Sequence, residues 1–591
     1  MKFFLAALIS VMLTVFQSQK DMYKRSGTLR GVFQDSLESK SSFGMRLRKV
    51  PATLDQIMAP VILRKSPANE STAVRLPDGT IKIFYINTPG KGNMMMSISS
   101  LNNGFSWKEP VKEFDLPGIA YHANSIVVDE SGNLHCVFHI FGEGQNGYRG
   151  RQLNLWYCQT FNNGKNWSKP TEIFSGYVGS IRGFIELKNK RLLLVFAKAV
   201  PASVKKPEAK EIDYGWNEII SMYSDDKGIT WKRSLNSIKI QVESSRKTRY
   251  GAIEPVVVQL KNGKIWMLIR TNNGYLYQSF STDGGSTWQR AQPTNFISSD
   301  SPATLLRLSD GRLLIFWCSE QRWDDPDSYA AGGRHVLHSA VSNDEGKTWK
   351  GFREVLTSPS LTINIRGDHG TAYPSATETA TGKVILVSGQ GEAGSVVIFD
   401  PSWLGKNTAC DQFSNCLVQW TLFGADTLTH LVTMPGSKNK ALLLRKSADH
   451  KDMNTEAVWN FPMTKQGKLE LQLVVNPGNE GICLALIDHF SISVDRKASV
   501  EAPLHFILQP NASGSKALPM KVAIYWNMYE KRALLFVNGK LKEEKSFHPT
   551  HFGFNYLRAG INGVQDDVAG YFIKSVSMKS KNYSLLKYCI R

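Results

Sequence analysis

Polar and ionisable residues recur at one place in the repeating units of this chain, about nine or ten residues ahead of an Asp-Gly-like turn. Asn69 and Glu70 stand there in the first unit, His122 with Asn124 in the second, Arg182 in the third, Glu254 in the fourth and Ser301 in the fifth. Tyr373, with Asp368 and His369 just ahead of it, stands there in the sixth. A strand start needs only a small or apolar residue, so acids, a phenol, imidazoles and a guanidinium at this place are a chemical signal. Together they suit a reaction centre for an anionic sugar: a carboxylate and a phenol to move a proton and attack, and cations to hold the charged group. His135 and His139, inside an apolar run, read as strand residues and not as ligands.

The elements that must position these groups are set by a repeat. Five segments share the pattern Ser/Thr-x-Asp/Asn-x-Gly-x-Ser/Thr/Asn-Trp: Ser100–Trp107, Thr160–Trp167, Ser224–Trp231, Ser281–Trp288 and Ser342–Trp349. Their tryptophans are 60, 64, 57 and 61 residues apart. The acid or amide caps a tight turn, the glycine takes a positive φ, and the tryptophan folds back as an apolar plug. In phase with these turns run pairs of apolar strands around Asp-Gly or Asn-Gly, as in Thr72–Tyr85, Val256–Ile269 and Thr304–Phe316; these are hairpin signals. Further copies at Ser125–His139, Phe184–Phe196 and Ala376–Val387 make six units between roughly 55 and 405. A unit of about four strands cannot bury its faces alone and becomes a propeller blade. The fold class expected is therefore all-β, with a six-bladed β-propeller over 53–405. In such a ring the innermost strands run beside the axis, so residues at their starts converge on one mouth whatever their spacing in sequence.

After about 405 the repeat stops. Residues 410–591 carry β-rich runs such as Lys521–Asn527 and Ala533–Leu541 and read as a β-sandwich. Residues 20–52 are a basic extension with little periodicity. Residues 1–19 hold one early charge, Lys2, and then an uncharged run from Phe3 to Phe16. That run is too short to span a bilayer but suits a signal peptide, which implies a secreted protein, extracellular or periplasmic. The chain has 591 residues, more than one core accommodates. Lysine and arginine (71) outnumber aspartate and glutamate (51), which favours acidic partners. The basic excess is spread out and no recognition motif is visible, so nucleic acid is not expected as a partner, and no later segment reads as a membrane span. Seven cysteines leave at least one thiol unpaired. Cys410 and Cys416 are spaced to close a small loop, Cys136 and Cys158 are either bridged or buried, and no Cys/His cluster has metal-site spacing.

The five turns resemble the Asp boxes of the sialidase (neuraminidase) superfamily, also called BNR repeats, and six such blades resemble its propeller over about 350 residues. Tyr250–Arg270 resembles the segment bearing that family's catalytic glutamate and second triad arginine. The resemblance thus implies that Glu254 is the base partner and Arg270 an arginine clamp. It likewise implies Arg334, in Gly333–Ser342, as the third arginine and Tyr373, in Ala372–Ser375, as the nucleophile. Where the family opens its first blade with Phe/Tyr-Arg-Ile-Pro, this chain has Pro67-Ala-Asn-Glu70-Ser-Thr, so Glu70 stands near the place of the first arginine. No residue matches the family's aspartate acid/base. Residues 410–591 resemble concanavalin- or laminin-G-like sandwiches, which implies either a lectin-like module or a buttress for the propeller.

The expected function is an exo-acting, sialidase-like glycoside hydrolase on acidic oligosaccharides or polysaccharides. Tyr373 and Glu254 would be catalytic, and Arg270, Arg334, Glu70, Asn124, Arg182, Asp368 and His369 would line the substrate. Propeller polysaccharide lyases and a rhamnosidase family acting on ulvan- or gum-like uronate glycans give the alternative, with His122 as a catalytic base or acid. A non-catalytic glycan-binding protein is the third class. No cofactor is expected, and no ligand motif supports a structural calcium ion.

Overall fold

The computed structural model describes residues 50–581 and Leu585, apart from 88–92, 143–151, 162–165, 201–215, 243–250, 322–332, 359–368, 415–416, 424–427, 435–436, 447–454, 492–501, 510–515 and 562–566. The expected signal peptide at 1–19, the extension as far as residue 49, Asp368 and Cys416 lie outside the described residues. Among the described residues, helix is confined to short 3-10 turns such as Leu54–Gln56 and Pro401–Gly405. None is long and apolar enough to cross a membrane.

Six antiparallel sheets form the blades, each entered from its inner strand: Thr72–Arg75, Ala120–Val128, Gly183–Glu186, Ile253–Gln259, Thr304–Arg307 and Ser375–Glu378. The sixth blade takes its outermost strand from the start of the chain, because Val61–Lys65 pairs antiparallel with Ser395–Phe399. This pairing closes the ring and covers the otherwise open edge of Ser395–Phe399.

The repeated turns explain how the blades are stapled. In Ser224–Trp231 the hydroxyl of Ser224 donates to Asp226 (2.7 Å) and accepts from the Gly228 amide (2.8 Å), while Asp226 accepts from the Thr230 amide (2.8 Å). The turns at Ser100, Ser281 and Ser342 make the same bonds. Gly228 has φ +87° and a Cβ there would meet the Tyr157 ring, so the position demands glycine twice over. Each tryptophan of the pattern then packs into or against an apolar cluster between adjacent blades, Trp288 with Leu193, Val257 and Met267, for example. Deleting a buried ring of this size costs about 3–5 kcal/mol.

Beyond the propeller, an eight-stranded and a five-stranded sheet face each other over one large core that includes Trp420, Trp459, Leu471, Trp526 and Tyr571. Gln466–Val475 alternates buried and less buried residues along its length, as a strand with one face on a core must. The sandwich meets the fifth blade through apolar packing, with Phe552 against Phe352 and Val336 among Phe423, Ile487 and Phe490, and through polar groups. Asn460 accepts from Nε of Arg353 (3.0 Å) and from the amide of Glu354 (3.2 Å), and Tyr556 donates to Glu354 (2.7 Å).

Candidate active site

Three residues that open inner strands are held in the left-handed region: Glu70 (φ 52°), Glu254 (φ 47°) and Tyr373 (φ 63°). An L-residue held there costs about 1–3 kcal/mol and persists only where the surroundings over-determine it. The cause is visible at Glu254. Ile253 pairs with Arg270, but the register breaks before Val256 pairs with Leu268, and Pro255 within the break has no amide to donate. The bulge turns Glu254 toward Arg270, the last residue of Ile265–Arg270. A similar break between Ala120 and Asn124 holds His122.

Tyr373 is buried and forms the centre of the cluster. Its hydroxyl donates to Oε1 of Glu254 (3.1 Å) and accepts from Nη1 of Arg270 (3.1 Å). The same Nη1 donates to Oε2 of Glu254 at 2.5 Å. The guanidinium carbons of Arg182 and Arg334 lie 4.9 and 5.3 Å from the centroid of the Tyr373 ring. Burial raises the Tyr373 phenol above its ordinary range and the charge of Glu254 adds to this, while Arg270 and Arg334 pull the other way. The resting group is therefore a phenol.

Arg334 is fixed from behind. Its Nη1 donates to Gln390 (3.4 Å) and its Nη2 to the Asp300 carbonyl (3.3 Å), and its own carbonyl accepts from the Thr371 amide (2.7 Å). Gly370 (φ +75°) permits this approach, since a Cβ there would sit on the Arg334 backbone.

Glu70, near the place where the family has its first arginine, is buried with its carboxylate on protein donors. Oε2 accepts from Nη2 of Arg182 (3.0 Å) and from the Ser180 hydroxyl, and Oε1 takes longer contacts, both 3.5 Å, from Tyr121 and Gln390. Asn124 donates to the Glu70 carbonyl (3.3 Å). Glu70 is thus a partner that aims Arg182, and Arg182 supplies a third guanidinium at Tyr373 from the third blade. His122 is half-buried with its ring 5.2 Å from that of Tyr121, which links it to the Glu70 side of the cluster. His369 lies next to Gly370, and Ser301 is buried with its hydroxyl 2.9 Å from that of Ser299.

Sequence reasoning passed over Asp300. It is buried, and its Oδ1 accepts from Nε of Arg270 at 2.6 Å. Burial raises its carboxyl and Arg334 pulls it back. The direct Arg270 bridge is the stronger local influence and holds the anion, because a guanidinium at bonding distance favours the charged form. The signal was one residue away: Ser301 occupies the counted place, and Asp300 precedes it. The cluster thus sets three guanidiniums (Arg182, Arg270, Arg334) against three carboxylates (Glu70, Glu254, Asp300). Among the described residues no group of three or more His, Cys, Asp or Glu side chains is placed to hold a metal. Of the two alternatives for Cys136 and Cys158, burial is the outcome: both are free thiols facing each other across paired strands. Cys410 is likewise a free thiol, and exposed, while Cys416, its expected loop partner, lies outside the described residues.

Residues 117–386 match the model of the BNR repeat-like domain family. Over that stretch, a little under half of the chain, the propeller is similar to BNR-repeat and sialidase-like proteins. The curated sialidase of Vibrio cholerae is 29% identical over 174 residues, an alignment covering 26% of this chain and 22% of that protein. The chain therefore spans about a fifth of that relative's length. Among solved structures, the Trypanosoma rangeli sialidase in complex with sialic acid aligns with 89% of this chain and 92% of its own, at 13% identity and a TM-score of 0.39. A protein of unknown function from Dyadobacter fermentans aligns with 58% of this chain and 97% of its own, at 19% identity and a TM-score of 0.42. The propeller brings Tyr373, Glu254 and the guanidiniums of Arg182, Arg270 and Arg334 together in one cluster, with Glu70 paired to Arg182.

Proposed function

We propose that the axial cluster cleaves the glycosidic bond of an acidic sugar, as a sialidase-like exo-glycoside hydrolase. One observation carries this reading: the Tyr373 hydroxyl is bonded at once to Glu254 and to Arg270. In that arrangement the phenol attacks the anomeric carbon while Glu254 takes its proton, and the glycosidic C–O bond breaks with the aglycone oxygen taking a proton from water. A water then displaces Tyr373 from the sugar and Glu254 returns the proton to the phenol. A nucleophile that is weak at rest thus becomes strong only as the bond forms. Arg270 stabilises the negative charge that develops on the phenolic oxygen as its proton leaves. Arg334 and Arg182, beside the ring, hold the sugar's carboxylate, where the planar fork of a guanidinium serves better than an ammonium. The uncharged run from Phe3 to Phe16 supports export of the chain.

A second reading is favoured by Glu70, which stands near the first-arginine position and commits Arg182 to a carboxylate. A site with fewer disengaged cations suits elimination on, or rhamnoside cleavage from, a uronate glycan, with His122 as base or acid. The two are separated by incubating the protein with sialylated and uronate-containing glycans, following free sugar and the ultraviolet absorbance of an unsaturated uronate. Free sialic acid without new absorbance is the expected result. New absorbance would overturn the hydrolase reading in favour of a lyase.

A further inference from the structure

A cleft of about 570 Å³ lies where the fifth blade and the turn Pro401–Gly405 meet the eight-stranded sheet of the sandwich, away from the axial cluster. Its size is within the range of small-ligand sites. Its walls are unlike those of the charge-balanced axial site: Arg353, Lys406, Lys468 and Lys579 set four cations against one acid, Glu470. Glu470 is already engaged, with Lys468 at 2.8 Å. Arg353 is buried, its guanidinium held 4.4 Å over the ring of Trp403 and by its bond to Asn460, so it presents a fixed donor and not a roaming one. Gln419 adds a buried side-chain amide nitrogen with no partner among the described residues, on a backbone strained at φ +69°. A donor left unbonded in a buried place costs about 1–3 kcal/mol, which a ligand acceptor would offset.

We propose that this cleft binds an anionic oligosaccharide segment, one bearing carboxylate or sulfate groups. Lys406 and Lys579 stand exposed at the cleft, Arg353 and the Gln419 amide offer donors within it, and the surplus of cations selects acidic over neutral sugar chains. The site is independent of the axial chemistry, so it persists when that chemistry is removed. Cys410, an exposed thiol lining the same cleft, reports on occupancy.

The test uses the full chain carrying Tyr373→Phe, which removes turnover. Calorimetric titrations are run with a galacturonic acid tetrasaccharide, a heparin-derived tetrasaccharide and neutral maltotetraose. The expected result is binding of one or both anionic probes and not of the neutral one, weakened about tenfold or more by Lys406→Glu with Lys579→Glu, as loss of charged hydrogen bonds requires. The exposed Lys542→Glu, outside the cleft, should leave affinity within about twofold. The bound probe should also slow maleimide modification of Cys410, judged against Cys410→Ala. Which anionic probe binds more tightly identifies carboxylate or sulfate as the recognised group. Equal affinity in the cleft variant and its parent, an equal loss in Lys542→Glu, or no binding of either anionic probe would overturn the proposal. None of these outcomes depends on whether the axial site hydrolyses sialosides.

Discussion

The carboxylate of Glu70 and the guanidinium of Arg182 form a buried ion pair of 3.0 Å between residues 112 positions apart. The pair ties the first blade to the third across the axis and fixes the guanidinium that lies over the Tyr373 ring. Removing one partner strands the other charge. Glu70→Gln should therefore lower stability by about 3 kcal/mol, Arg182→Met by a similar amount, and the double variant by clearly less than their sum. Denaturant unfolding of the four proteins measures this; additive losses would mean that the pair is not coupled.

Glu254→Gln keeps the shape of the cluster and removes the carboxylate that accepts from the Tyr373 hydroxyl, the proposed proton acceptor. Turnover should fall by about 10²- to 10⁴-fold, with the rate and not KM carrying most of the loss, since the proton moves only in the transition state. A variant with a raised KM and an unchanged rate would place Glu254 in binding alone.

Arg334→Lys preserves charge but not the fork. A charged hydrogen bond is worth about 1.5–3 kcal/mol, so KM for an acidic substrate should rise about tenfold or more. His122→Ala, by contrast, should change hydrolysis little. A collapse of activity in His122→Ala with Arg334→Lys silent would favour the elimination reading.

Two buried histidines predict acid sensitivity. Burial lowers His139 and His338 to about 3, so both are neutral in the folded chain. His338 accepts from the Ser319 amide at Nδ1, which leaves Nε2 to donate to Tyr556, and Tyr556 in turn donates to Glu354; burial is the main cause of its lowering, and the neighbouring His489 adds to it. Since the folded values lie below the unfolded value near 6.5, the stabilisation is complete above about pH 6.5 and is lost as pH falls toward 3. Each group should cost about 1.4 kcal/mol per pH unit in that window. Thermal melts between pH 7 and 4 check this, and His338→Gln should flatten the decline. A melting temperature constant down to pH 4 would contradict it.

The parts of the fold legible in the sequence are those with local causes. Each Ser-x-Asp-x-Gly-x-Thr-Trp turn satisfies its own hydrogen bonds within eight residues, as Ser224–Trp231 does, so the pattern is readable without knowing the rest. The strand Val61–Lys65 carries no such turn, and its partner is some 330 residues later; ring closure, not local sequence, decides that pairing. The same holds at the site. Glu254 and Tyr373 stand at countable strand starts, whereas the match of Glu70 to Arg182 exists only once the blades close. Asp300 escaped because the count from the turn falls on Ser301, and a bulge or a bend shifts such counts by one residue. The cleft beside Trp403 was not readable at all, since it is made of residues from a blade, a connecting turn and the sandwich.

The central claim, that Tyr373 is the nucleophile, is tested most directly by rapid quenching during turnover of a sialylated substrate followed by mass analysis of the intact chain and its peptides. A transient sugar adduct is expected on the peptide containing Tyr373 and is absent in Tyr373→Phe, which should be folded but without turnover. Turnover retained by Tyr373→Phe, or an adduct on a different residue, would contradict it.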